Sequence, residues 1–218
     1  MEYYAGVAGW TYVTEHARDF AWGGGAGDFI LALSGDEAGA GFAETPPGFQ
    51  DGWIPYVEVT NVDDAVRRAT QHGGAQVRAP FEVPGVGRNA LVRDPLGATV
   101  GISLSRHSFP APRVQFGPER YLSRDGAYPE AFYAALFGWR IDRSADGTIG
   151  IVTQTREPVA DVVPDASHLA SVASWLPSLR LADPRTALDG ATDTGSTPIL
   201  RDGTGSPFTI AGQLLQPL

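Results

Sequence analysis

The stretch Trp53-Ile54-Pro55-Tyr56-Val57-Glu58-Val59, followed by Asn61-Val62-Asp63-Asp64-Ala65, sets the reading of the whole chain. Val57 and Val59 alternate with Tyr56 and Glu58, the period of a half-buried strand. Val57 and Val59 would face a covering helix, while Ile54, Tyr56 and Glu58 face the other side. Asn61 or Asp63 caps a helix whose apolar side is Ala65, Val66 and Ala69, and Gly73-Gly74 closes it with a left-handed residue. Three short strands follow, over Ala75 to Ala79, Gly87 to Arg93 and Ala98 to Leu104, with Asp94-Pro95-Leu96-Gly97 as the turn between the last two. The module read outward from Trp53 is βαβββ.

Its pieces recur in order along the chain. Glu2-Tyr3-Tyr4-Ala5-Gly6-Val7-Ala8-Gly9-Trp10 matches Ala131-Phe132-Tyr133-Ala134-Ala135-Leu136-Phe137-Gly138-Trp139, with four of nine positions identical. Trp53 to Val59 matches Trp175-Leu176-Pro177-Ser178-Leu179-Arg180-Leu181 at an offset of 122, and Leu91 to Gly97 matches Ile199-Leu200-Arg201-Asp202-Gly203-Thr204-Gly205 at 108. The second copy is therefore 14 residues shorter, around the equivalent of Phe81 to Gly87. Three anchors in one order indicate a duplication. They divide the chain into residues 1–108 and 113–218, joined by His107-Ser108-Phe109-Pro110-Ala111-Pro112.

The helix end Phe132 to Trp139, the Trp53 strand with the Asn61 helix, and Val83-Pro84-Gly85-Val86-Gly87-Arg88 leading to Asp94-Pro95-Leu96-Gly97-Ala98 resemble tandem-domain proteins of the vicinal oxygen chelate superfamily, with its glyoxalase, bleomycin-resistance and extradiol-dioxygenase relatives. The resemblance implies an α+β fold: two glyoxalase-like domains, each of paired βαβββ modules whose curved mixed sheets surround a cavity. Two departures stand out. Residues 113–130, including the strand-like Arg113-Val114-Gln115-Phe116, precede the Ala131 anchor, but Met1 alone precedes Glu2. The first strand of the first domain is thus missing, supplied by the linker or another chain, or lost with a misplaced start, and an unpaired edge there would favour a homodimer. Metal-using relatives also carry His or Gln at the start of a module's first strand and Glu in its last. Here those positions fall on Ile54 and Gly101, and on Leu176 and about Thr209. Glu44 and Gln115 are conceivable single ligands, too few to hold an ion, so the expectation is no catalytic metal and no cofactor.

Composition narrows the partners. The chain has 16 basic residues, all arginine, against 25 acidic ones, for a net charge of −9, which argues against nucleic acid and anionic membranes. Cysteine is absent, removing disulfides, thiolate nucleophiles and sulfur-ligated metals. Neither a secretion signal nor a run of eighteen apolar residues is present, so the expected address is cytoplasmic. No nucleophile elbow, HExxH or dinucleotide fingerprint occurs, and Gly23-Gly24-Gly25-Ala26-Gly27 lacks the lysine and strand-to-helix context of a phosphate loop.

The cavity-facing residues expected from strand parity are Tyr56 and Glu58 in the first half and Ser178 and Arg180 in the second, with Thr99 on the last strand as a further ligand contact. Glu58 and Arg180 could equally pair at a sheet edge or an interface. Trp22, beside the glycine run, is a candidate pocket rim, whereas Trp10 and Trp139 read as packing residues. The histidines, His16, His72, His107 and His168, show no metal spacing; only His16, with Glu15 and Asp19, suggests acid–base chemistry. The function expected is metal-independent binding of a hydrophobic or aromatic, even cationic, small molecule in an acidic cavity, as in antibiotic-binding or resistance relatives. The alternative is a metal-free tailoring enzyme of natural-product biosynthesis (cyclase, isomerase or hydrolase) with Glu58 as general base or acid, Tyr56 as proton donor and Arg180 stabilising an enolate. A third reading is a metal-dependent glyoxalase- or dioxygenase-like lyase.

Overall fold

A computed structural model of the chain describes residues 1–17, 27–43, 52–83, 86–106, 108, 110, 112, 115–164, 172–182 and 198–211. The elements run α1 (Glu2–Ala8), β1 (Thr11–Ala17), β2 (Gly27–Ser34), β3 (Glu37–Phe42), β4 (Tyr56–Glu58), α2 (Val62–Gln71), β5 (Ala75–Val83), β6 (Gly87–Arg93) and β7 (Thr99–Ser105). They continue as β8 (Glu119–Leu122), α3 (Glu130–Phe137), β9 (Arg140–Arg143), β10 (Ile149–Val152), β11 (Pro158–Val163), β12 (Ser174–Leu176), β13 (Ser178–Leu179), β14 (Ile199–Arg201) and β15 (Pro207–Ile210). This is the expected α+β pattern of mixed sheets with few helices, and β4 to β7 reproduces the βαβββ reading. Among the described residues no helix is long and apolar enough to cross a membrane.

The compact units do not follow the chain-order division at residues 108–113. One unit comprises Met1–Trp53, Ser108–Gly117 and Pro177–Leu218; the other comprises Ile54–His107 and Pro118–Leu176. The first module therefore packs with the fourth and the second with the third. Duplicated modules carry the same contact surfaces, so sequence alone does not distinguish this pairing from the neighbour pairing.

In the unit of residues 54–107 and 118–176, α2 forms where the sequence places it. Asn61 caps its start, its side chain accepting from the Asp64 amide at 3.0 Å, and Gly73 leaves it at φ +85°. Val62, Ala65, Val66 and Ala69 pack with Ala90, Val92, Val100 and Ile102 of the sheet, and Val57 and Val59 join them, as the alternation predicts. That sheet has the order β4-β7-β6-β5, β4 parallel to β7 and the rest antiparallel; the second sheet has the order β12-β8-β11-β10-β9. The strand before α3 is β8; Arg113 and Val114 lie outside the described residues.

In the other unit, α1 lies among Leu179, Leu200, Phe208 and Ile210 in a core lined by Trp10, Trp53 and Phe116. α1 ends at Gly9 (φ +68°) and α3 at Gly138 (φ +72°), left-handed closures that need glycine and that the two sequence anchors share. Residues 115–117, just after the linker, pack into this unit. Gln115 donates from Nε2 to the Glu37 carbonyl of β3 at 2.9 Å, Phe116 bridges Leu179 of β13 antiparallel, and the Gly117 amide donates to the Ser178 carbonyl at 2.9 Å.

Candidate functional site

Backbone register brings one row of side chains across the four-stranded sheet, on the face opposite α2. Tyr56 pairs with Gly101, Gly101 with Leu91, and Leu91 with Arg78. Directly paired residues share a face. Two residues along lie Glu58, Ser103, Asn89 and Phe81, paired in the same order. Arg78 and Phe81, three apart in sequence, share this face because the β5–β6 register shifts between them. The Arg78 guanidinium then stacks over the Phe81 ring at 3.8 Å.

Tyr56 lies flat across the sheet in the space that Gly101 leaves: a Cβ on Gly101 would stand 2.5 Å from its ring. The side chain is 47% exposed, yet its hydroxyl is pushed up to about 12, first by burial, with the nearby positive charge of Arg78 opposing the shift. Desolvation likewise pulls Arg78 down, against the influence of Tyr56. Leu91 is fully buried, and Asn89 donates from Nδ2 to the Gly87 carbonyl at 3.0 Å.

Glu58 serves the strand end. Its Oε1 accepts the Ser105 amide at 3.0 Å and its Oε2 accepts the Ser105 hydroxyl at 2.6 Å. This is the sheet-edge pairing weighed for Glu58, with a serine in place of a charged partner. Thr99 opens β7 on the same face. Ser178 and Arg180 belong to the other unit. Ser178 is buried and pairs with Thr209, while the Arg180 amide and Nε donate to the carbonyls of Gln115 (2.9 Å) and Phe116 (3.3 Å), holding the backbone there in place. Trp22, Glu44, His107, His168 and the side chain of His16 lie outside the described residues; His72 is exposed at the end of α2. Arg78, Phe81, Asn89 and Leu91 were not among the expected site residues, since strict alternation sets Arg78 and Phe81 on opposite faces.

The donors present do not fit a metal site of the kind the resemblance implies. Ile54 and Leu176 carry no donor atom, and the space above Gly101 is filled by the Tyr56 ring. The hydroxyl of Thr209 donates to the Pro198 carbonyl at 2.8 Å. In the third module the matching strands pair Arg120 with Asp161, and the guanidinium bonds that carboxylate. Among the described residues no three His, Asp or Glu side chains cluster as ligands.

Behind the sheets, each unit holds a copy of one hydrogen-bonded triad. Tyr4 donates to Asp202 at 2.8 Å and accepts from Trp53 Nε1 at 3.1 Å. Tyr133 donates to Asp94 at 2.9 Å and accepts from Trp175 Nε1 at 3.0 Å. Trp10 stacks on Tyr4 and Trp139 on Tyr133, the packing role expected of both tryptophans.

No protein-family profile matches the chain. CFP32 of Mycobacterium bovis, named as a glyoxylase candidate, is 32% identical over 111 residues, which span 49% of this chain and 41% of that relative; the protein of the same name in Mycobacterium tuberculosis matches equally. The match thus spans less than half the length of these relatives. Among solved structures, homoprotocatechuate 2,3-dioxygenase of Arthrobacter globiformis superposes with a TM-score of 0.54 at 15% identity, covering 96% of this chain and 73% of that one. A variant of the B. fuscum enzyme of that name gives 0.53 at 14%, covering 97% and 67%. The βαβββ modules and the fold shared with these dioxygenases, together with the similarity to the glyoxylase-named relative, support a glyoxalase/dioxygenase-like fold of the vicinal oxygen chelate type.

Proposed function

We propose that the protein binds a small organic molecule against the sheet of β4, β7, β6 and β5, without a metal ion of the superfamily type at that position, in the manner of a natural-product or antibiotic binding protein. The observation that carries this reading is the Tyr56 ring lying on Gly101, where a metal-using relative needs an acidic ligand. Binding suits the residues better than turnover does, because both Glu58 oxygens are committed to Ser105 and Arg180 to the Phe116 carbonyl. Native mass spectrometry of the protein from its producing host, set against the denatured mass, tests the reading. A retained organic mass without a divalent ion supports it. One divalent ion per unit overturns it in favour of the lyase or dioxygenase reading.

A further inference from the structure

We infer that each unit holds a one-electron redox site, a tyrosine poised to give its electron to a strong radical oxidant while its proton passes to a bonded aspartate: Tyr4 with Asp202, and Tyr133 with Asp94. The site is independent of the proposed binding face. Sulfur, the usual first sink for oxidation, is nearly absent, with no cysteine and Met1 as the single methionine. Oxidising equivalents that reach the chain therefore fall on its indoles and phenols. Every tryptophan among the described residues touches one of these two tyrosines. Trp10 stacks on Tyr4 with ring centroids 5.2 Å apart and Trp53 meets it edge-on at 5.5 Å; Trp139 stacks on Tyr133 at 5.7 Å and Trp175 meets it edge-on at 5.5 Å.

The hydrogen bonds set the direction in which the proton moves. An indole N–H can only donate, so Trp53 Nε1 (3.1 Å) and Trp175 Nε1 (3.0 Å) hold the phenol oxygens as acceptors, and each hydroxyl proton points at its carboxylate, at 2.8 Å for Asp202 and 2.9 Å for Asp94. Losing an electron turns a phenol into a strong acid, and here the base is already in place. Tyr121 adds a second phenol on the same Asp94 oxygen at 2.7 Å, with the Trp175 ring 5.0 Å from its own. Trp53 and Trp139 are only partly buried, which gives an oxidant access to each cluster, whereas the rings of Tyr4 and Tyr133 are shielded from direct attack. With the carbonate radical anion as oxidant, a tryptophan is oxidised first and is then re-reduced by its tyrosine. The net step converts Tyr–OH, Asp–COO⁻ and the carbonate radical anion into the phenoxyl radical, Asp–COOH and carbonate. One electron and one proton leave the tyrosine, and the O–H bond alone is broken.

Pulse radiolysis of the full chain with the azidyl radical, which oxidises indoles, follows the step by transient absorbance. The expected result is an indolyl signal that decays into a phenoxyl signal at a rate independent of protein concentration and slower in D2O. Asp94→Asn and Asp202→Asn, which keep the side-chain size, should each remove about half of the phenoxyl yield, and the double variant nearly all of it. Tyr4→Phe should match Asp202→Asn. The rates measured on the unmodified protein stand even if a variant fails to fold. A phenoxyl yield untouched in both aspartate variants, an indolyl signal that never passes to phenoxyl, a rate that scales with protein concentration, or no response to D2O overturns the assignment.

Discussion

The hydroxyl of Tyr4 donates to the carboxylate of Asp202, 198 residues further along the chain, and Tyr133 makes the same bond to Asp94. Each bond fastens a helix to the turn before a last strand. Asp94 is the more heavily used: its Oδ2 also accepts from Tyr121 at 2.7 Å, and its Oδ1 accepts the amides of Leu96 and Ala98, both at 2.9 Å.

Removing either end of the Asp94 cluster should therefore be unequal. Tyr133→Phe leaves Asp94 its other three donors and is expected to lower stability by about 2 kcal/mol, whereas Asp94→Ala strands two buried phenols and should exceed about 3 kcal/mol. Urea unfolding, followed by tryptophan fluorescence, orders the two variants. Equal losses would contradict the hub role of Asp94.

Alkaline pH acts through the phenols. All seven tyrosines, Tyr3, Tyr4, Tyr12, Tyr56, Tyr121, Tyr128 and Tyr133, have their ionisation raised in the folded chain, burial being the largest cause for each. The unfolded chain loses these protons first, near the ordinary value of 10. Above that pH the native state binds more protons than the unfolded one, so stability is full below about pH 10 and falls as pH rises past it. Absorbance at about 295 nm should show little tyrosinate at pH 10 in native protein and about half-ionisation in urea. A native titration centred on 10 would refute the shifts.

Gly101 and Tyr56 should behave as a coupled pair. Gly101→Ala drives a methyl into the Tyr56 ring and is expected to cost about 1–3 kcal/mol, and Tyr56→Ala in the same chain should recover part of that loss. A double-mutant cycle by thermal unfolding measures the coupling. Additive losses would mean that the ring does not occupy this space.

Gln115 makes an analogous prediction in the other unit. A Cβ at residue 39 would run into the side-chain amide of Gln115. Gly39→Ala should release the segment around Gln115, seen as faster proteolysis there, and Gln115→Gly should partly restore protection. Unchanged cleavage in Gly39→Ala would argue that Gln115 and Phe116 do not complete this unit.

Much of the fold was legible because it depends on short-range chemistry. Strand alternation at Val57 and Val59, the Asn61 cap and the Gly9 and Gly138 helix ends are local signals, and each appears where the residues place it. Pairing of modules was not legible, because Asp94 and Asp202 offer Tyr4 the same bond and only the assembled chain distinguishes them. The candidate site was half legible. Period-two reasoning found Tyr56, Glu58 and Thr99 on one face, but the register shift in β5 brought in Arg78 and Phe81 against that period. Ser178 and Arg180 fell in the other unit because Pro177 starts a segment that leaves the unit holding β12.

Because residues 54–107 and 118–176 form one unit and residues 1–53 and 177–218 flank it, synthesis and closure run in different orders. Tyr4 leaves the ribosome 198 residues ahead of Asp202. At about 5–20 residues per second, α1 waits on the order of ten seconds for its partner turn, while the chemically equivalent turn at Asp94 emerges much sooner. Tyr133 arrives after Asp94 is already in place and finds it at once. The unit of residues 54–107 and 118–176 can thus close as translation proceeds, and the other can close only after Asp202 has emerged, having passed the equivalent Asp94 on the way.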